Sequence, residues 1–114
     1  SIHVHLGTRN QGLVGAAEIA MMKPTAYLIN TARGPIIDEA ALIAALQAKK
    51  IAGVGLDVFQ VEPLQADNPL LGLDNVVLTP HQGYVTRENY GNFFAAAVAN
   101  VRSWLDGKLI NELP

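Results

Sequence analysis

Apolar positions along the chain gather in three short runs, each ending abruptly in small or polar residues. Ala26-Tyr27-Leu28-Ile29 stops at Asn30-Thr31-Ala32-Arg33-Gly34-Pro35, Gly53-Val54-Gly55-Leu56 stops at Asp57-Val58-Phe59, and Asn75-Val76-Val77-Leu78-Thr79 stops at Pro80-His81. Runs this short, bounded by such punctuation, predict buried strands. Ahead of them Ile2, Val4 and Leu6 alternate with His3 and His5, the period of a further strand, and a polar turn over residues 7–12 follows.

Between the runs the period becomes helical. Residues 16–22 predict one short helix halted by Pro24. In a second helix Asp38 and Glu39 are expected to put negative charge on the first turn and Lys49 and Lys50 positive charge on the last, both complementing the helix dipole. Leu42, Ile43 and Leu46 share its apolar face. The segment from Glu62-Pro63 to Asp67-Asn68-Pro69 is too irregular for an element of its own. From Thr86, an expected N-cap with Glu88 in the first turn, a long helix sets Phe94, Val98, Val101 and Leu105 on one stripe flanked by Phe93, Ala97 and Trp104, until Gly107 ends it. Strands separated by helical or loop crossovers give an α/β class, a mostly parallel sheet with helices on its faces.

Composition then removes whole classes of function. The 114 residues, 50% hydrophobic and 16% charged, suit one ordinary globular domain with a real core. A formal net charge of −2 with no run of like charges gives no footprint for nucleic acid or an anionic membrane. The absence of cysteine removes disulfides, thiolate nucleophiles and zinc-thiolate sites, and fits a reducing, cytoplasmic setting. No apolar stretch approaches the roughly 20 residues of a membrane span. The chain opens at Ser1 directly inside a strand-like alternation, so a cut within a domain is expected.

In this architecture ligands sit outside the carboxyl ends of parallel strands, where the three runs deliver Arg33, Asp57 and His81. A guanidinium fork at Arg33 can grip a carboxylate through two parallel hydrogen bonds; a surface arginine paired to Asp38 or Glu39 is the alternative. His81, after a proline, can exchange protons near neutrality, or can be a loop histidine bonded to backbone. Glu62 is the carboxylate best placed along the chain to orient it, whereas Asp57 is expected to meet a ligand. His3 and His5 share one strand face as some metal ligands do, but no third ligand motif follows, so no metal is expected. A Gly-x-Gly-x-x-Gly phosphate cradle is missing, because Gly53-Val54-Gly55 continues into Leu56-Asp57-Val58 without a third glycine. A Gly-x-Ser-x-Gly nucleophile elbow is missing too.

Taken together, Leu28-Ile29-Asn30-Thr31-Ala32-Arg33-Gly34, Gly55-Leu56-Asp57-Val58-Phe59 with Glu62-Pro63, and Leu78-Thr79-Pro80-His81-x-Gly83 resemble the three signatures of the D-isomer-specific 2-hydroxyacid dehydrogenases. Met22-Lys23-Pro24 and Ile51-Ala52-Gly53 are similar to that family as well. The resemblance implies that residues 1–114 are the second half of a Rossmann-type, doubly wound NAD-binding domain, an incomplete domain whose glycine-rich half and substrate domain lie outside this chain. It implies NAD, or NADP, as cofactor and a small 2-oxo or 2-hydroxy acid as substrate, with no nucleic-acid or membrane partner and a homodimer as the full-length protein. Carried over by motif, Arg33 binds the substrate carboxylate and carbonyl, His81 is the acid/base, and Glu62 holds its imidazole. Asp57 meets the nicotinamide end, the backbone of Thr31, Ala32 and Gly83 lines the cofactor, and Arg33 and His81 border it. His5 stands where the family usually has proline, Gly7 and Asn10 where threonines are common, and Gln82-Gly83-Tyr84 where Ile-Gly-Gly is frequent. An NAD-sensing binding protein resembling the transcriptional corepressors of the family is the second expectation, and a non-catalytic structural fragment the third. The 114-residue chain by itself is expected to bind NAD poorly, to be inactive and to self-associate or stay incompletely folded, since a central strand left at an edge exposes unpaired backbone groups.

Overall fold

The computed structural model describes residues 1–112, which belong to two compact units, Ser1–Gln82 and Gly83–Pro114. In the first unit three strands, β1 (Tyr27–Asn30), β2 (Gly53–Leu56) and β3 (Val76–Leu78), form one parallel sheet in the order β1-β2-β3. Asn30 pairs with Leu56 and Leu56 with Leu78, so the three carboxyl ends finish level. That register sets the segments carrying Arg33, Asp57 and His81 along one edge.

Two helices precede β2, α1 (Ala16–Ala20) and α2 (Glu39–Gln47). Asp38 caps α2, its Oδ1 accepting from the Ala41 N–H at 3.1 Å. Ile19, Leu42 and Leu46 join Leu28, Ile36, Ile37, Ile51, Val54, Leu56 and Leu70 in one core. Every second residue of β1 is buried, Leu28 and Asn30, while Tyr27 and Ile29 face outward with Val77. The run expected to be a wholly buried strand is therefore covered on one face in this chain. The close layering is written in Gly34: a Cβ there would lie 1.9 Å from the Phe59 carbonyl oxygen, so only glycine lets the loop after β1 pass against the backbone after β2.

Several sequence expectations change in detail. Ile2 makes one parallel bridge to Asn30, but no strand continues through His3, Val4, His5 and Leu6. Asn10 accounts for this: its Nδ2 donates to the His5 carbonyl at 2.6 Å and its Oδ1 accepts from the Gly7 N–H at 2.7 Å, drawing the backbone into a turn. Helix α1 stops two residues before Met22, as the Met21 N–H falls back on the Glu18 carbonyl and tightens the last turn. Lys49 and Lys50 lie beyond the last residue of α2 instead of in its final turn. Lys49 turns left-handed, φ 50°, and the two lysine N–H groups close on the Leu46 and Ala45 carbonyls, so backbone groups do the capping expected of side-chain charge. The irregular stretch before β3 resolves into a 3-10 turn at Pro69–Gly72, capped by Asn68 Oδ1 on the Leu70 N–H; a second such turn, Gly34–Ile36, follows Arg33.

In the second unit α3 spans Arg87–Leu105. Thr86 Oγ1 accepts from the Asn89 N–H at 3.1 Å, and Gly107, at φ 66°, ends the helix with its N–H on the Trp104 carbonyl. Phe94, Val98, Val101 and Leu105 do form a stripe, and Tyr90 stacks on Phe94 with ring centroids 5.9 Å apart. The stripe is exposed, as are Phe93 and Trp104, and no described residue of α3 is buried.

Candidate active site

Glu62 and His81 come from the segments after β2 and β3, 19 residues apart in sequence, and meet at 2.7 Å through Oε2 and Nδ1. The other carboxylate oxygen, Oε1, accepts from the Phe59 N–H at 2.9 Å. With both oxygens engaged, the carboxyl titrates below its ordinary value: the hydrogen bond from His81 is the largest cause and the Phe59 N–H the next, burial opposes them, and the charges of His81 and Arg33 add smaller effects in the lowering direction. An ionised carboxylate only accepts, so Nδ1 carries a proton toward Glu62, and Nε2 is the ring nitrogen that Glu62 does not engage. His81 itself sits at φ 53°, in the left-handed region, after a turn in which its N–H returns to the Thr79 carbonyl at 3.0 Å.

Arg33 is exposed and pairs with neither candidate carboxylate. Asp38 is occupied as the α2 cap, Glu39 Oε1 accepts from Asn68 Nδ2 at 3.0 Å, and among the described residues the ion pair recorded is His81–Glu62. The guanidinium instead folds onto its own chain, Nη1 donating to the Ala32 carbonyl at 2.7 Å. Its charge nevertheless acts on Glu62, the weakest of the effects there, and links the segments after β1 and β2.

Asp57, 5% exposed, is more deeply placed than a residue that simply meets a ligand. Its Oδ1 accepts from the Thr79 hydroxyl and from the Gln82 N–H, the latter at 2.9 Å, and so grips the His81 turn from both sides. Asn30, fully buried, does the corresponding work after β1: its Nδ2 donates to the Arg33 carbonyl at 2.9 Å and its Oδ1 accepts from the Ala32 N–H at 3.0 Å. Sequence reasoning passed over Asn30 and Thr79. The available signal was an amide closing an apolar run just before a tight turn, since Asn side chains readily bond backbone two residues on.

Two clefts open at this edge. One of about 370 Å³ is mostly apolar and is lined by Phe59, Pro63, Leu64 and Leu78 with Glu62 and His81. The other, about 420 Å³, is lined by Ile2, His3, His5, Thr31, Ala32 and Arg33. Arg33 therefore shares a wall with Thr31 and Ala32, and the Ala32 N–H and carbonyl already serve Asn30 and Arg33. Gly83 opens the second unit. An exposed guanidinium and an imidazole suit an anionic ligand such as a carboxylate, whereas the glycine-rich loop that would cradle a pyrophosphate has no counterpart in the sequence.

Comparison with known proteins agrees with this layout. Residues 1–83 match the family model described as D-isomer specific 2-hydroxyacid dehydrogenase, NAD binding domain. Glyoxylate/hydroxypyruvate reductase B of Citrobacter koseri is 54% identical over 97 residues, which is 85% of this chain and 30% of that protein. Among solved structures, D-lactate dehydrogenase with NAD+ from Lactobacillus jensenii superposes with a TM-score of 0.83 at 31% identity, covering 98% of this chain and 38% of that one. A D-isomer specific 2-hydroxyacid dehydrogenase from Xanthobacter autotrophicus Py2, in complex with NADPH and MES, gives 0.73 at 40% identity, with 96% and 45% covered. The chain thus spans about a third of the length of the curated relatives it matches.

Proposed function

Because the chain belongs to the D-isomer-specific 2-hydroxyacid dehydrogenase family, we propose that it is the second half of the NAD-binding domain of a reductase acting on small 2-oxo acids such as glyoxylate or hydroxypyruvate. The first half of that domain and a substrate domain then belong to the same full-length protein, which is a cytoplasmic homodimer. The observation that carries the reading is the 2.7 Å contact between His81 Nδ1 and Glu62 Oε2 at the level ends of three parallel strands.

NADH or NADPH supplies a hydride to C2 of the substrate when bound. Arg33, no longer folded on Ala32, takes the substrate carboxylate and polarises the carbonyl beside it. His81 enters protonated and passes the Nε2 proton to the oxygen that becomes the hydroxyl, leaving a neutral imidazole, so each turnover consumes one proton. Glu62 favours the imidazolium and fixes which nitrogen faces the substrate. By motif, Asp57 is the contact to the nicotinamide end, and Thr31, Ala32 and Gly83 are positions whose backbone lines the cofactor. In the reverse direction neutral His81 removes the hydroxyl proton. The 114-residue chain alone, without a pyrophosphate cradle, is inactive.

Turnover of the full-length protein with NADH and with NADPH, offered glyoxylate, hydroxypyruvate and longer 2-oxo acids, tests the reading. Reduction of at least one small 2-oxo acid is expected, with loss of turnover in His81→Gln. Cofactor binding without turnover of any of them would replace the enzyme with a cofactor-sensing protein.

A further inference from the structure

Asn30 and Asp57 are the buried polar side chains of the core edge, Asn30 at 0% exposure, and they are joined directly, the Asp57 N–H donating to the Asn30 carbonyl at 3.0 Å. Burying an amide is unfavourable unless its groups are bonded, and an apolar residue at this position would have completed the alternation begun by Leu28. What the amide does instead is bind backbone on both sides of the loop it precedes, the Ala32 N–H and the Arg33 carbonyl. The Arg33 side chain is exposed and bonds the Ala32 carbonyl of its own loop. The backbone beneath it is fixed by Asn30 and by the tight passage of Gly34 against Phe59.

We infer that Asn30 is a positioning residue for the reaction, its buried carboxamide setting the backbone at Ala32 and Arg33 so that the guanidinium is aimed at a substrate carboxylate. This rests on the role proposed for Arg33. A fork that must meet a carboxylate with two parallel bonds tolerates little misplacement, so loosening its backbone reads out in catalysis even though Asn30 touches neither substrate nor cofactor.

The test is a double-mutant cycle in the full-length protein: Asn30→Ala, Arg33→Ala and the pair, with kcat/KM for glyoxylate or hydroxypyruvate measured for each. Arg33→Ala is expected to lower kcat/KM at least 100-fold and Asn30→Ala about 10-fold or more, whereas Asn30→Ala added to Arg33→Ala costs less than twofold. A purely structural asparagine gives the same fold-loss in both backgrounds, and that result overturns the inference. Should Asn30→Ala not fold, Asn30→Ser takes its place in the cycle, since a serine hydroxyl can still accept from the N–H two residues on; its expected loss is smaller and must again vanish without Arg33. If Arg33→Ala keeps kcat/KM within threefold of the parent, the role of Arg33 is wrong and the inference falls with it, an outcome distinct from additive losses.

Discussion

The strand-end edge of the first unit and helix α3 of the second obey the same local rules and reach opposite outcomes. Both helices have a side-chain cap, Thr86 before α3 as expected and Asp38 before α2 where first-turn charge was expected, and both are followed by a left-handed residue, Lys49 in one and Gly107 in the other. Yet α2 buries Leu42 and Leu46, while α3 buries none of its described residues. Local chemistry decides where a helix starts and stops, and partners decide what its apolar face is worth.

Two glycines break that comparison most sharply. Gly34→Ala forces a methyl into the Phe59–Gln60 backbone and is expected to cost more than about 4 kcal/mol, while Gly91→Ala inside α3 meets nothing within 4 Å and should stabilise the helix by about 0.5–1 kcal/mol. Chemical unfolding of the full-length protein checks both, and equal effects would show that the two regions do not differ as described. A smaller contrast comes from truncation. Leu46→Ala opens a cavity beneath the sheet and should cost about 2–5 kcal/mol, whereas Val98→Ala, at an exposed position, should stay within about 0.5 kcal/mol; a costly Val98→Ala would reveal a partner surface on α3 in the full-length protein.

The remaining predictions sharpen the comparison within the edge, between buried groups that hold it and the exposed groups to which the proposed reaction gives roles. Arg33→Lys keeps the charge and loses the planar fork, so kcat/KM for a 2-oxo acid should fall about 10-fold or more with the melting temperature unchanged. A loss below about threefold would remove Arg33 from carboxylate binding. Glu62→Gln should leave the fold intact and shift the pH profile. Reduction needs protonated His81 and fails at alkaline pH; without the anion opposite Nδ1 the imidazolium loses its partner, so that alkaline limit moves to lower pH, and oxidation, which starts from neutral imidazole, suffers less at low pH. In the parent, the lowered titration of Glu62 means the contact is fully formed above the ordinary carboxylate range and is lost only as the pH falls through the lower native value. A reduction profile that keeps its position in the glutamine variant would separate Glu62 from His81 chemistry.

How much of this was legible in the sequence follows from what a pattern can encode. The three parallel strands were readable because each apolar run is short and stops at residues that cannot continue it, and their register follows once the runs pair. The strand expected at Ile2 to Leu6 was not, because alternation tells which side chains share a face but not whether a neighbour will bond the backbone, and Asn10 took the His5 carbonyl instead. The stripe of α3 was readable as a stripe, but a pattern does not say whether anything covers it, and in this chain it is exposed. At the candidate site, Arg33, Glu62 and His81 stood out as exposed chemistry at strand ends, and the Glu62–His81 contact matched its expectation. Asp57 and Asn30 show the limit: their residue types were visible, but which backbone groups they hold, and from how deep, depends on distances across the fold.

The two-handed grip of Glu62 carries a consequence for how this sequence can vary. One oxygen closes a short loop on the Phe59 N–H and the other reaches His81, so the carboxylate acts as a ruler between the segments after β2 and β3. A ruler constrains spacing, not composition. Val61, 60% exposed inside that loop, should accept nearly any side chain, whereas one residue inserted beside it would carry Oε1 away from Phe59 or Oε2 away from His81. A library that randomises Val61 should therefore stay active, and one that lengthens the loop by a single position should not. Insertions and deletions between Phe59 and Glu62, more than substitutions, mark the boundary beyond which a descendant of this chain no longer brings Glu62 to His81.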